Sequence, residues 1–225
     1  MNELIEILQN KQLVWQGAAK QTSSQYQSTG YSTLDEQLNG GFPQSGVIEV
    51  LSDIAIGELR LLMPSVTKDN NRLLVFIAPP GIVNAHMLAG SGIDLKSVIV
   101  VYPKDQKNAL WSAELCLKSG ACHSVLMWAN DRLEIHQIKR LQLASEKGDS
   151  RQFLIRARRY EDLSLPVDVS LSLTAETTGL KAKINKRKRG WPSDVFNINM
   201  QSAWPKLTRQ IRPDNVILFP ERKVG

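Results

Sequence analysis

Apolar residues dominate the runs GVIEVL (46–51), RLLVFIA (72–78), SVIVVY (97–102), HSVLMWA (123–129) and QFLIRA (152–157). Continuous runs of this length are the mark of strands buried on both faces. Between them the apolar positions recur at helical spacing, over 58–67 with Pro64 as an interruption, 83–90, 108–119 and 132–147. Strand and helix in alternation predict an α/β fold, a mainly parallel sheet flanked by helices and joined by right-handed crossovers. After residue 165 the period changes to two. VDVSLSLTA (167–175), a Thr178-Gly179 turn, LKAKINKRK (180–188), a break at Gly190-Trp191-Pro192 and VFNINM (195–200) read as antiparallel strands added at one edge of that sheet.

The flanks are organised differently. Leu4, Ile5 and Leu8, followed by Leu13, Val14 and Trp15, predict a short amphipathic N-terminal helix, and 17–29 is a Gln-, Ser- and Ala-rich stretch without periodicity, a linker. A helix over 31–38 takes Ser32 as its N-cap and stops at Asn39-Gly40-Gly41. Pro205, Pro213 and Pro220 argue against a compact terminal helix, and NVILF (215–219) reads as a last strand or anchor. The expected division is 1–28 helix and linker, 29–200 core, 201–225 tail.

A chain of 225 residues, 42% hydrophobic and 22% charged, suits one domain with a sizeable core. No apolar run approaches the roughly 20 residues that span a bilayer, so the expectation is a cytoplasmic protein without membrane contact. Cys116 and Cys122, six apart, fit neither a CxxC motif nor a zinc knuckle and read as small buried hydrophobes; with His86, His123 and His136 scattered, no metal site is expected. The net charge of +6 is concentrated in KAKINKRKR (181–189), which carries six basic residues. Lys183, Lys186, Arg187, Lys188 and Arg189 are candidates for a salt-sensitive contact with DNA or an acidic partner, against the alternative of a solvated hairpin tip that discourages edge pairing. Trp191 and Trp204, each followed by proline, are candidate exposed anchors, while Trp111 is assigned to the core.

The strand 46–51, the loop 52–57 and the helix after it have the layout of a phosphate-binding loop, in which backbone amides cradle phosphates at a helix N-terminus. The chemistry is altered. After Gly57 stand Glu58 and Leu59 where such a loop carries a Lys and a Ser or Thr. A carboxylate repels a triphosphate and leucine has no hydroxyl for magnesium, so Ser52, Asp53, Gly57, Glu58 and Leu59 form a degenerate loop and no cofactor is expected.

These residues resemble the core of the RecA recombinase over about 28–200. The likeness is carried by STGYSTLDEQLNGGFPQSGVIEV (28–50), by AGSGIDLKSVIVVYPKDQKNALWSAELCLKSGACHSVLMW (89–128) and by KINKRKRGWPSDVFNI (183–198). It departs from RecA at the catalytic positions. Trp128 and Ala129 stand where the magnesium-binding aspartate is expected, and APPG (78–81) where the catalytic glutamate is expected. A RecA fold without ATPase chemistry is similar to the ImuA group, SOS-induced accessory proteins of translesion DNA synthesis. The shared features are Val14, Trp15 and Gly17; Ser28 to Gly41; AIGELRLLMP (55–64); IAPP (77–80); Ala109 to Ala121; KRLQLASEKG (139–148); and Lys186 to Gly190. The resemblance implies a non-catalytic adaptor whose partners are an ImuB-like inactive Y-family polymerase relative, an error-prone DNA polymerase, RecA and DNA. SulA cell-division inhibitors share the emptied loop, which gives the alternative of an SOS-induced protein that binds FtsZ.

Overall fold

A computed structural model describes residues 26–53, 55–68, 71–160, 164–188 and 190–205. The expected helix over 2–15, Arg189 and the expected strand over 215–219 lie outside the described residues.

Ten strands are present among the described residues: β1 (Tyr26–Gln27), β2 (Phe42–Pro43), β3 (Gly46–Leu51), β4 (Leu73–Ile77), β5 (Val98–Val101), β6 (Cys122–Ala129), β7 (Arg151–Arg156), β8 (Val169–Glu176), β9 (Gly179–Arg187) and β10 (Phe196–Asn199). The helices are α1 (Ser32–Leu38), α2 (Glu58–Val66), α3 (Ala85–Gly90), α4 (Gln106–Lys118) and α5 (Ile135–Lys147). β1 and β2 form a small antiparallel pair, and the other eight strands form one sheet in the order β10-β9-β8-β3-β7-β6-β4-β5. The strands from β8 to β5 are parallel neighbours, whereas β8, β9 and β10 pair antiparallel. The fold class expected from the pattern is the one observed, including the antiparallel addition at one edge.

Continuous apolar strands are explained by two cores. On one face Ile48, Val50, Phe76, Leu126 and Phe153 meet Leu34 and Leu38 of α1 and Leu61, Leu62, Met63 and Val66 of α2. On the other Val47, Val75, Met127 and Leu154 meet Ala109, Ala113 and Leu117 of α4 and Ile138, Leu141 and Ala144 of α5. The central strands β3, β4, β6 and β7 therefore alternate between two dry faces, whereas β5 at the edge exposes Ile99 and Val100.

Trp111 is corrected by this arrangement: its side chain is 58% exposed. Ala109, Ala113 and Leu117 recur at four-residue spacing toward the sheet, and Trp111, two residues from Ala109, is carried to the outer face of α4.

Candidate functional site

The loop 52–57 leaves β3 at the C-terminal ends of the parallel strands and enters α2 through Gly57, with Ala55 at φ 64° and Gly57 at φ 115°. Successive residues in this conformation turn their amides toward a common point, a ready anion cradle. The cradle here is filled from within. Glu58 folds back so that Oε1 accepts from the Ala55 amide at 3.3 Å and Oε2 from the Gly57 amide at 3.0 Å. Its side chain is buried. A carboxylate has taken the acceptor role that a phosphate oxygen plays at such a helix start. Asp53 is exposed, Ser52 is buried with no hydrogen-bond partner for its hydroxyl among the described residues, and Leu59 packs at the margin of the apolar core.

Around the loop, the positions expected to carry catalytic carboxylates are apolar. Trp128, near the end of β6, is buried and stacks on Phe76 with ring centroids 6.3 Å apart. β4 ends at Ile77 and continues into Ala78-Pro79-Pro80-Gly81. One buried ion pair is nearby: Arg156 of β7 donates to Glu49 of β3 at 2.5 Å, Ser170 donates to the second Glu49 oxygen at 2.7 Å, and the Arg156 guanidinium lies 4.8 Å from the Tyr160 ring centre. Sequence patterning missed this pair because both residues sit inside otherwise apolar strand runs.

A second arrangement invisible in the pattern explains Pro64, which lies inside α2. Proline has no N–H for the carbonyl four residues earlier, that of Arg60. The Tyr31 hydroxyl supplies the missing donor at 2.8 Å, and Trp204 Nε1 donates to the same Tyr31 oxygen at 3.1 Å. Burial raises the Tyr31 phenol above its ordinary pKa, opposed by the Trp204 hydrogen bond and by Arg60. Gly30, at φ 92°, lets the preceding turn touch the proline, since a Cβ there would stand 2.4 Å from Pro64 Cβ. Asp35 holds that turn by accepting from the Ser28 hydroxyl at 2.6 Å and the Thr29 amide at 2.7 Å. Trp204 is thus corrected from an exposed anchor to a partly buried residue that packs on the core. Trp191 is 84% exposed, as an anchor would be.

The basic run is also repositioned. The β8–β9 turn is at Thr177-Thr178, whereas Lys186 and Arg187 end β9 at its other end. Lys188 meets Asp168, whose amide donates to the Val47 carbonyl at the start of β3. Lys186, Arg187 and Lys188 therefore lie at the N-terminal edge of the sheet, roughly 20 Å along the six residues of β3 from the loop at the C-terminal edge, whereas Lys183 stands opposite Ser172, the partner of Leu51, at the level of the loop. The structure thus holds Lys186, Arg187 and Lys188 apart from the loop. Within the run, Lys186 Nζ donates to the Leu165 carbonyl at 3.0 Å. Arg187 donates to the carbonyls of Gln37 at 2.9 Å and Trp191 at 3.2 Å, and Lys188 pairs with Asp168 at 3.2 Å. Lys183 is exposed on the face of β9 away from Ala182 and Ile184, which belong to the core. Among the described residues there is no cluster of three or more His, Cys, Asp or Glu that could hold a metal ion, and no helix long and apolar enough to cross a membrane.

No protein-family model matches the chain. Among curated proteins it is similar to the RecA protein of Synechococcus sp. (strain CC9902), 26% identical over 102 residues, covering 44% of this chain and 27% of that one. It is likewise similar to the RecA protein of Picosynechococcus sp., 22% identical over 123 residues, covering 54% of this chain and 34% of that one. Among solved structures, that of SulA from Pseudomonas aeruginosa aligns with 27% identity and a TM-score of 0.41, covering 49% of this chain and 97% of that one. The chain spans about a quarter to a third of the length of the RecA proteins it matches. Over roughly half of its own length the chain is distantly similar to RecA, and it is built as an α/β sheet with antiparallel strands at one edge.

Proposed function

We propose that this chain is a non-catalytic adaptor in SOS-induced translesion DNA synthesis, of the kind that its likeness to the ImuA group implies. Its partners are an inactive Y-family polymerase relative, an error-prone DNA polymerase and RecA. The observation that carries the non-catalytic half is the seating of Glu58 on the Ala55 and Gly57 amides. A triphosphate entering that loop must displace a covalently attached carboxylate, and it meets negative charge where phosphoryl transfer requires cations. Trp128 and the Ala78–Gly81 segment add no carboxylate to hold magnesium or orient a nucleophile. The adaptor half is supported by the distant RecA similarity and by the segments shared with the ImuA group.

The test has two arms. Titration with a fluorescent ATP analogue to millimolar concentration should show no saturable signal; saturable binding ends the non-catalytic reading. Co-purification with an ImuB-like polymerase relative should give a stable complex, and sedimentation of FtsZ polymers with GTP should be unchanged by an equal concentration of the chain. Loss of pelletable polymer together with no polymerase complex would replace the adaptor by a division inhibitor.

A further inference from the structure

α4 and α5 bury one face each against the sheet, through Ala109, Ala113 and Leu117 and through Ile138, Leu141 and Ala144. Their outer faces carry apolar residues that this packing does not use. In α4, Trp111 and Leu115 are both exposed and stand four residues apart, with exposed Lys107 and Lys118 about one turn to either side. In α5, Leu143 is 67% exposed and lies between exposed Lys139 and Lys147, again at four-residue spacing. Residues three and four apart are neighbours on a helix surface, so each set forms a continuous stripe of apolar side chains bounded by lysines.

The two stripes share one surface. α4 joins β5 to β6 and α5 joins β6 to β7, all within the parallel part of the sheet, so the helices run side by side in the same direction. Arg140 Nη2 of α5 donates to Glu114 Oε2 of α4 at 2.5 Å and sets their relative level. At 1.5 Å of rise per residue, Leu143 then stands about 3 Å further along than Leu115, on the adjacent helix. Charge on this surface is one-sided. Glu114 is engaged by Arg140, Glu134 caps the start of α5 and lies 3.0 Å from His136 Nδ1, and Glu146 is 4.0 Å from Lys188. Lys107, Lys118, Lys139 and Lys147 have no ion pair among the described residues. Arg140 is exposed and gives Glu114 a single nitrogen, so it keeps further guanidinium donors.

We propose that the outer surface of α4 and α5 docks an acidic amphipathic helix of a partner protein. Apolar residues at helical spacing on the partner cover Trp111, Leu115 and Leu143, and carboxylates beside them meet the four lysines and the remaining donors of Arg140. Tryptophan is the residue type that most often dominates such contacts, which places Trp111 at the centre of the site. An extended peptide is a poor fit, because two helices offer no row of unpaired backbone groups for a strand to bond. An anionic lipid surface would match the lysines, but it would draw Glu114, which lies between the two stripes, into the acyl boundary, whereas a protein interface accommodates polar pairs and water. The partner is identified by its charge and apolar spacing, and the site stands independently of the adaptor reading.

Fluorescence anisotropy with the full-length protein tests this. The probe is a fluorescein-labelled peptide of about five helical turns, with leucines at helical spacing among glutamates and alanines, and its control carries lysine in place of every glutamate. The glutamate peptide should bind saturably and the lysine peptide should not. Trp111→Ala should weaken binding at least tenfold and leave the melting temperature unchanged, since the side chain lies outside the core. Lys107→Glu combined with Lys139→Glu should reverse the preference and capture the lysine peptide, a gain that loss of folding cannot imitate. No binding of the glutamate peptide at millimolar concentration, or equal binding of it by the wild type and these variants, would overturn the proposal. Flotation with phosphatidylglycerol vesicles in the absence of peptide binding would overturn it in favour of anionic lipid. A dimer in sedimentation velocity that Trp111→Ala dissociates would overturn it in favour of a second copy of this chain.

Discussion

Glu58 and Tyr31 show how single side chains decide what a loop and a helix can be. Glu58→Ala removes the acceptor of two amides at a helix start, and a hydrogen bond to a charged group contributes about 1.5–3 kcal/mol. The variant should melt several degrees lower, and added phosphate should recover part of the stability by taking the vacated place. A melting temperature indifferent to phosphate would mean that the cradle collapses once Glu58 is gone. Tyr31→Phe takes the hydroxyl donor from the Arg60 carbonyl and the tyrosine acceptor from the Trp204 indole N–H, at a cost of about 1–3 kcal/mol, the scale for a buried polar group deprived of its partner. The cause can be isolated, since Pro64→Ala returns a backbone N–H to Arg60. A double-mutant cycle should therefore show Tyr31→Phe to be milder in the Pro64→Ala background. Strict additivity would detach the tyrosine from the proline. Nothing in the local pattern announces this relation. Tyr31 and Pro64 look like an aromatic at a helix start and a helix interruption, and only their packing across the fold joins them.

Among elements, the strands were legible because burial on both faces leaves a nearly continuous apolar run, but such a run does not set the register of β3 against β7 and β8. What the run conceals is the charged pair inside it. Glu49 and Arg156 are one strand apart with side chains almost wholly removed from water. Arg156→Leu leaves Glu49 with Ser170 as its remaining partner and should cost about 3–5 kcal/mol, the usual penalty for breaking a buried pair. Chemical denaturation would measure it, and a change below about 1 kcal/mol would show that Glu49 escapes to solvent, where such a pair is worth little. The β8–β9 turn carries a different charge effect. Hydrogen bonds from Lys181 and from the Thr177 amide and hydroxyl lower the Glu176 carboxyl to about 2 from its ordinary 4.5. A depressed folded-state pKa stabilises above the unfolded value, and the stabilisation is lost as pH falls from 4.5 toward 2. Glu176→Gln should flatten acid unfolding in that window, and carboxyl titration followed by NMR should place the midpoint near the lower end. The exposed Trp111 belongs to this scale too: helical spacing alone does not say which face of α4 meets the sheet, and the small Ala109 and Ala113 mark it.

At the scale of the molecule, the sheet separates the two features that composition made conspicuous. Lys186, Arg187 and Lys188 sit at the edge opposite the loop and are tied to the body of the fold, while Lys183 is level with the loop. Neutralising these three should therefore lower the melting temperature while leaving the salt dependence of any DNA binding nearly unchanged. Were they bound to phosphates, each neutralised residue would instead flatten the slope of log K against log salt by about one unit. A flattened slope with unaltered stability would restore the run as a nucleic-acid surface. The charge count was plain in the sequence, but its placement depended on where β9 ends relative to Asp168, which Lys188 meets across 20 residues of chain.

A diffusible ligand stabilises its protein in proportion to the logarithm of its concentration, so a working nucleotide-binding fold senses the supply of nucleotide. The Glu58 carboxylate, seated on the Ala55 and Gly57 amides, is instead an acceptor fixed to the chain. Its effective concentration is set by geometry, which no metabolic change can dilute. If the loop is closed to nucleotide, as proposed above, any signal this molecule conveys comes from its abundance or its partners, and its thermal unfolding should be the same in the presence and absence of millimolar ATP.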